Sequence, residues 1–209
     1  MAKGSTPPAT ETDGVEVYNG TGQTVDVNAL GPATTYAFTV FSHSTYTSRT
    51  SSASTTVTTP PLDTTGVAAT VAPSTVVVGH AATVSATITD TTTAQPVANA
   101  PATLQSRLHG ATQWHNVHQF TAGPDGVVST SVSPSHNTDY RWVYAGDGLH
   151  HASTSTAVTL WVRSTSTIRA SETVPNVGDV VRVHGVVSPA AAGLRVALQR
   201  RTSSGWTMP

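Results

Sequence analysis

Residues 104–147 have the sequence LQSRLHGATQWHNVHQFTAGPDGVVSTSVSPSHNTDYRWVYAGD, which carries the clearest strand pattern in the chain. It consists of short segments in which apolar and polar residues alternate, separated by Gly, Pro, Asn and Asp. Segments of that length and spacing are typical of the strands of a β-sandwich. In the last segment Tyr140, Trp142 and Tyr144 occupy every second position, and side chains on a strand point to opposite faces in turn. We therefore expect the three aromatic side chains to share one face and to form the centre of a hydrophobic core.

The composition indicates small β-rich modules rather than one large domain. A chain of 209 residues has room for two or three modules of about 100 residues each. Val and Thr, whose branched side chains favour extended backbone, are abundant, and no segment has the period of an amphipathic helix. The expected fold class is therefore all-β, with tandem antiparallel Greek-key β-sandwiches.

Charge and apolar content exclude two classes of partner. Charged residues make up only 10% of the chain and the formal net charge is -1. The sequence thus has neither a basic surface for nucleic acid nor a polybasic patch for a membrane surface. No apolar run approaches the roughly 18 residues of a membrane span, and the N-terminus lacks the apolar segment of a signal peptide, so export would need sequence outside this chain.

Cysteine is absent, which excludes disulfides and thiolate metal sites.

The N-terminal quarter has two parts. Residues 1–13 are rich in Pro and Thr with little to bury, and they predict a flexible leader. Alternating apolar residues then predict strands near 15–17, 25–27 and 36–40, separated by Gly and Pro.

The run LGPATTYAFTV at 30–40, closed by SRTSSASTTVTTP, resembles the second half of a fibronectin type III domain, and the resemblance covers residues 14–60. It places Tyr36 at the corner tyrosine of that family, whose hydroxyl bonds to upstream backbone. The family's early strands have no counterpart here. The resemblance therefore implies half a sandwich, with one uncovered face and unpaired edges that favour pairing with another chain.

A proline-containing linker at 61–65 leads into a central module at 66–163. The expected strands of this module lie at 67–71, 83–88, 104–108, 127–132 and 157–162. The pair Asp125-Gly126 is expected to form a hairpin turn that returns the chain from Phe120 to Val127.

A repeat sets the domain organisation. TVVVGHAATVSATI around Gly79 recurs as TVPNVGDVVRVHGVV around Gly178, and LQSRLHGATQW ending at Trp114 recurs as LQRRTSSGW ending at Trp206. A period of about 95 residues indicates duplication of a whole domain. The second copy, residues 164–209, lacks a counterpart of the YRWVYAGD segment and is expected to be a partial sandwich. The chain is therefore expected to be a piece of a longer multi-domain protein.

The repeated pattern resembles the bacterial immunoglobulin-like modules found in tandem in secreted and cell-surface proteins of Gram-positive organisms, especially actinobacteria. The residues that carry the resemblance are Gly79, Leu104-Gln105, Trp114, Asp125-Gly126 and YRWVYAGD at 140–147. It implies a β-sandwich fold and an extracellular or cell-surface location, and it implies no particular chemistry.

The histidines predict no metal site and no cofactor. His115 and His118 would point to opposite faces of a strand, and the adjacent His150 and His151 would diverge as well. A zinc site would need ligands that converge from separate loops. We expect these histidines to be solvent-exposed.

The carboxylates predict no catalytic residue. Asp125 belongs to a turn and Asp147 to an Ala-Gly-Asp-Gly loop, where the side chain of Asp caps backbone donors. No glycosidase pattern or nucleophile elbow surrounds either of them. One alternative is that Asp139 or Asp147 contributes to a calcium site together with several further oxygen ligands.

Two tryptophans are the candidate contact residues. Trp161 lies on the face opposite to Val158, Leu160 and Val162, and Trp114 precedes the polar HNVH, so both indoles are expected to be exposed. Exposed aromatics bind sugars or protein partners. Trp161 is expected to pack on the next module, and glycan binding at Trp161 or Trp114 is the alternative.

The main functional hypothesis is a non-catalytic set of extracellular modules that space, display or attach another domain at a bacterial surface. The partners would be the neighbouring domains of the parent protein and, at the exposed tryptophans, cell-wall or other polysaccharide glycans. The alternative is an accessory region of a secreted polysaccharide-degrading glycosidase, with the hydrolase domain elsewhere in the parent protein.

Overall fold

The computed structural model describes residues 1–42, 51–190, 195–203 and 205–207. All regular structure in these ranges is β-strand, which confirms the all-β fold class, and they contain no helix that could cross a membrane. The strands, numbered in chain order, are β1 Ala2–Lys3, β2 Thr35–Ser42, β3 Ser51–Thr58, β4 Thr65–Ala72, β5 Thr75–Val77, β6 Ala82–Asp90, β7 Pro101–Leu108, β8 His115–Thr121, β9 Val127–Val132, β10 Thr138–Tyr144, β11 Ser153–Thr154, β12 Val158–Arg163, β13 Thr165–Ala170, β14 Val183–Ser188, β15 Arg200–Thr202 and β16 Gly205–Thr207.

The central module is a sandwich of two sheets. The small sheet has the order β4-β6-β9, and the large sheet has the order β5-β12-β10-β7-β8, with β11 paired to β10. The pairs are antiparallel apart from β5 with β12, which run parallel. Because the chain passes repeatedly from one sheet to the other, the two inner faces enclose a single core.

Aromatic and branched aliphatic side chains from both sheets fill this core. Trp142 and Tyr144 are fully buried and Tyr140 is 5% exposed, which confirms that the three predicted aromatics share the inner face of β10. The rings of Phe120 and Trp142 pack in a T-shaped arrangement, with the centroids 5.5 Å apart. From the small sheet Ile88 is fully buried in the same cluster.

Ser155 makes the hydrogen bonds to the middle of β10 that a neighbouring strand would otherwise make. The side of β10 away from β7 pairs with β12 near Thr138 and with β11 near Tyr144, and residues 155–157 between those two strands are irregular. The buried Ser155 fills the gap, because its N–H donates to the Trp142 carbonyl at 2.9 Å and its hydroxyl accepts from the Trp142 N–H at 3.0 Å. Both backbone groups of Trp142 on that side are thus paired.

The Asp125-Gly126 turn connects two sheets, and the predicted hairpin is wrong. β8 pairs with β7 in the large sheet, whereas β9 pairs with β6 in the small sheet. Gly126 has a φ of +72°, and a Cβ there would lie 2.5 Å from the Ile88 carbonyl oxygen, so only glycine fits. Asp125 and Gly126 do form a turn, but the chain after it crosses the core to the small sheet and does not return along the large sheet.

The central module begins earlier than the sequence predicts. Asp63 donates its N–H to the Leu149 carbonyl at 2.8 Å, and its own carbonyl accepts from the His151 N–H at 2.8 Å. Strand β4 starts at Thr65, within the predicted linker 61–65. The backbone of Asp63 to Thr65 therefore belongs to the sandwich.

The N-terminal sheet has the order β1-β2-β3. Ala2–Lys3, part of the predicted leader, pairs with Tyr36 and Ala37, which differs from the flexible segment expected. Residues 14–34 contain no strand, so the strands predicted near 15–17 and 25–27 are wrong. The backbone of Val15 forms two hydrogen bonds with Met1, each of 2.9 Å, but no strand continues from them, and the Val15 side chain is 61% exposed. Alternation without a partner and a core does not produce a strand.

Tyr36 makes the hydrogen bond expected of a corner tyrosine. Its side chain is buried, and its hydroxyl accepts from the backbone N–H of Gly31 at 2.8 Å, five residues upstream. The bond ties the irregular segment before β2 to the sheet.

The repeat seen in the sequence recurs as the same strand pairing. Gly66 faces Thr89 in the β4–β6 pair, and Thr165 faces Ser188 in the β13–β14 pair, a shift of 99 residues on each strand (165 − 66 and 188 − 89). The turns at Gly79 and Gly178 also match, because both glycines have positive φ. Every described residue of the second copy lies at or near the surface, so this copy forms two hairpins without a core of its own.

Candidate functional site

The outer face of the large sheet carries the largest group of interacting polar and aromatic side chains in the central module. Asp139 faces Arg107 on β7 and Thr159 on β12, and Arg141 faces Gln105. Since these residues alternate with the core positions of their strands, their side chains point away from the core. We call this surface the outer face.

A buried carboxylate lies at the centre of the outer face. Asp139 is 4% exposed, and its side chain accepts from Arg107 Nε at 3.0 Å, from His109 Nδ1 at 2.8 Å and from the Thr159 hydroxyl at 2.8 Å. Burial acts to raise the pKa of the Asp139 carboxyl, but the bonds from His109, Thr159 and Arg107 outweigh it and hold the pKa below its ordinary value. The carboxylate is therefore a charged anchor for its neighbours.

Trp114 lies against two arginines. The guanidinium carbons of Arg107 and Arg141 are 4.5 Å and 4.3 Å from the centroid of its ring. Such cation–π contacts stabilise by about 0.5–1 kcal/mol each at exposed sites. Trp114 is half-buried, so the exposure expected from the sequence is only partial. Its ring is occupied by arginine rather than left free for a sugar.

Trp161 is exposed on the same outer face. Its side chain is 43% exposed, which confirms the face predicted for it, and its ring meets the His109 ring edge-on with the centroids 4.7 Å apart. Through His109 and Asp139 it is connected to Arg107 and so to Trp114. The structure thus brings both sequence-predicted tryptophans onto one surface.

No pattern in the sequence predicted the residues that lie between the two tryptophans. Arg107 and His109 precede Asp139 by 32 and 30 residues, and Thr159 follows it by 20. Pairing of β7, β10 and β12 brings them together. A polar residue at an outward strand position predicts exposure, so only knowledge of the strand order could have predicted the burial of Asp139.

A second carboxylate, Asp147, caps a loop at the opposite end of the module. Its Oδ1 accepts from the N–H groups of Leu149 and His150, each at 2.8 Å, as the sequence predicts for a capping aspartate. Burial raises the pKa of Asp147, but the Leu149 N–H, the nearby Tyr144 hydroxyl and His150 lower it to about 2. The His150 ring lies between Asp147, at 2.9 Å, and Asp90, at 4.0 Å.

The described residues contain no group of three or more His, Asp or Glu side chains placed to hold a metal ion. The oxygens of Asp139 are engaged by protein donors, and Asp147 caps backbone, so neither supports the calcium alternative. Asp125 accepts from the Val127 N–H at 3.1 Å, as a turn residue does. His115 and His118 are exposed, as the sequence predicts, whereas the His150 side chain is only 16% exposed.

An open cavity of about 310 Å³ lies at the end of the sandwich where β10 begins. Its lining combines side chains of the large sheet with the loop before β10: Ser106, Arg107, Leu108, His115, Pro134, Ser135, His136, Thr138 and Tyr140. Within the lining the hydroxyl of Ser135 lies 2.9 Å from Nδ1 of His136, its neighbour in the sequence. The lining contains no carboxylate beside this imidazole.

Comparison with models of protein families and with curated proteins finds no match for this chain.

Proposed function

We propose that this chain is a non-catalytic segment of tandem β-sandwich modules that space, display or attach another domain at a bacterial cell surface. The observation that carries the proposal is the path of the chain through the central module. The chain enters beside His150 and His151, at Asp63, and it leaves at Arg163 beside Val77, at the opposite end of the sandwich. The same strand pairing then begins again at Thr165.

Modules that are entered at one end and left at the other add length with each copy. The strands of the sandwich have up to nine residues, so one module spans on the order of 30 Å. The single cluster of buried side chains makes the central module a stiff unit without any disulfide. The extracellular and immunoglobulin-like character of the modules is inferred from the residues that resemble that family and from the two-sheet strand order.

Small-angle X-ray scattering on polypeptides that contain one, two and three copies of residues 62–163 tests the spacer. The maximum dimension should increase by a constant increment of about 30 Å per copy. Dimensions that instead grow as for one compact globule would contradict an end-to-end spacer.

An accessory role beside a secreted polysaccharide-degrading enzyme is the second candidate. The exposed Trp161 ring on the outer face favours it, since exposed aromatic rings stack on sugars. A polysaccharide hydrolase encoded in the same reading frame would support this candidate, whereas a cell-wall anchor or further repeats would support the spacer.

A further inference from the structure

Arg107 and Arg141 keep most of their hydrogen-bonding capacity free for a ligand. Arg107 uses Nε to donate to Asp139, and Arg141 uses Nε to donate to the Gln105 side-chain oxygen at 2.7 Å. A guanidinium carries five N–H donors, four of them on its two terminal nitrogens. Among the described residues no hydrogen bond engages those terminal groups. Two arginines on one face therefore present planar donor pairs of the kind that bind carboxylate or phosphate.

Both arginines are held in place before any ligand arrives. The Arg107 side chain is anchored by the buried Asp139, which Thr159 and His109 also hold. Gln105 anchors Arg141 and is itself held by donating to the Asn116 side-chain oxygen at 2.7 Å. Ordering a long side chain in advance removes part of the entropic cost of binding.

The charges of the central module are separated along its length. Arg163 is a third cation on the outer face, at the end where β12 stops, and Asp139 is the only carboxylate of the module on this face. At the other end the carboxylates of Asp90 and Asp147 lie 4.0 Å and 2.9 Å from the His150 ring, and the backbone of Asp63 forms a bridge with His150. Segregation of this kind gives the outer face a positive potential although the net charge of the chain is -1.

We infer that the outer face binds an anionic polysaccharide, with Arg107 and Arg141 on its acid groups and Trp161 stacked on a sugar ring. The Trp161 ring is the exposed aromatic of this face, and the imidazole of His109 beside it offers Nε2 for a sugar hydroxyl. A polymer with regularly spaced acid groups suits arginines that lie on different strands. This inference rests on the proposed cell-surface role and names the glycan class for it.

The test measures retention of the full chain on immobilised polygalacturonate, with dextran as the neutral glycan, at low and at physiological salt. The expected result is binding to polygalacturonate that weakens as salt screens the charges, and little binding to dextran. Arg141→Ala should weaken binding about tenfold or more, because a charge-assisted donor pair is lost. Arg169→Ala on the exposed β13 makes the same change in net charge, and its affinity should stay within about twofold.

Two further variants distinguish a binding site of defined geometry from nonspecific electrostatic attraction. Arg141→Lys keeps the charge but loses the planar fork and the stacking on Trp114, so it should bind nearly as weakly as Arg141→Ala. Trp161→Ala should weaken binding to polygalacturonate while the thermal unfolding midpoint falls by no more than a few degrees, since the ring lies outside the core. The inference would be overturned if Arg141→Lys bound polygalacturonate as tightly as the unaltered chain. It would also be overturned if Arg141→Ala and Arg169→Ala lost binding affinity equally.

Double-stranded DNA of matched charge serves as a non-glycan polyanion. Equal affinity for DNA, with the same dependence on Arg141, would overturn the assignment to a glycan. Failure to bind polygalacturonate would overturn it too, and it would leave the spacer untouched, because the scattering increment does not depend on a ligand.

Discussion

Trp142 is the side chain on which the core of the central module depends most. It is fully buried between the sheets and packs against the Phe120 ring in a T-shaped arrangement. Trp142→Ala should lower the free energy of unfolding by about 3–5 kcal/mol through lost burial and the cavity left behind. Trp161→Ala is the matched control, because that ring is 43% exposed, and its effect should be below about 1 kcal/mol. Urea denaturation followed by circular dichroism measures both, and similar losses in the two variants would contradict the assigned faces.

Ser155 stabilises the same strand through its hydroxyl. Ser155→Ala would leave the N–H of Trp142 buried without its acceptor at 3.0 Å. An unpaired buried donor costs about 1–3 kcal/mol. Ser131→Ala, the same change at an exposed position on β9, should alter stability by less than about 0.5 kcal/mol. If thermal melts place the two variants at the same midpoint, the hydroxyl does not support the ladder.

At the scale of single residues the alternation of side chains predicted the core correctly and the site only in part. Tyr140, Trp142, Tyr144 and Trp161 lie on the predicted faces because alternation is a local property of a strand. Asp139 follows the same alternation yet is buried, because the residues that cover it come from β7 and β12. Contacts between strands depend on the order of the strands in the sheet, which no local pattern contains.

The same limit explains the elements that were predicted wrongly. The Asp125-Gly126 pair is a strong turn signal, but whether the chain returns to the same sheet or crosses the core depends on which strand accepts β9. Residues 15–17 and 25–27 alternate as strands do, yet apart from the two bonds between Val15 and Met1 they have no partner with which to form a ladder. The duplicated segments have equivalent strand pairing in β4–β6 and β13–β14, because a repeat implies the same local pairing whatever the strand order.

The crossing between β8 and β9 depends on Gly126. Gly126→Ala should destabilise the module by more than about 2 kcal/mol, since φ is +72° and the new Cβ would meet the Ile88 carbonyl oxygen. Gly110→Ala isolates the conformational part of this cost: φ there is +84° and no atom lies within 4 Å, so about 1 kcal/mol is expected. Equal losses in denaturant melts would show that the backbone relaxes around the added methyl group.

The loop that follows β10 should make the module sensitive to acid. The pKa of Asp147 falls from 3.8 to about 2 on folding, so its carboxylate stabilises the fold above pH 4, and that stability is lost as the pH drops towards 2. Asp147→Asn should therefore lower stability at pH 6 and flatten the decline between pH 4 and 2. Leu149→Ala, an exposed change in the same loop, should keep the acid slope of the unaltered chain. Urea midpoints across this pH range measure both, and an unchanged slope in Asp147→Asn would contradict the link.

On the scale of the whole molecule, stability should be concentrated in the central module. Among the residues that the structure describes, the large buried side chains lie there, apart from Tyr36 in the N-terminal sheet, and none after Arg163 is buried. Residues 62–164 produced alone should therefore unfold cooperatively, with a midpoint within a few degrees of the main transition of the full chain. Residues 66–163 should unfold at a lower temperature, because they lack the backbone pairing of Asp63 with Leu149 and His151.

Amide hydrogen exchange of the full chain gives an independent measurement: strands β6, β7 and β10 should exchange slowest, and the β13–β14 and β15–β16 hairpins should exchange within the first minutes. Strong protection of the hairpins would mean that they pack on a surface of this chain, and the central module would then not be the single cooperative unit.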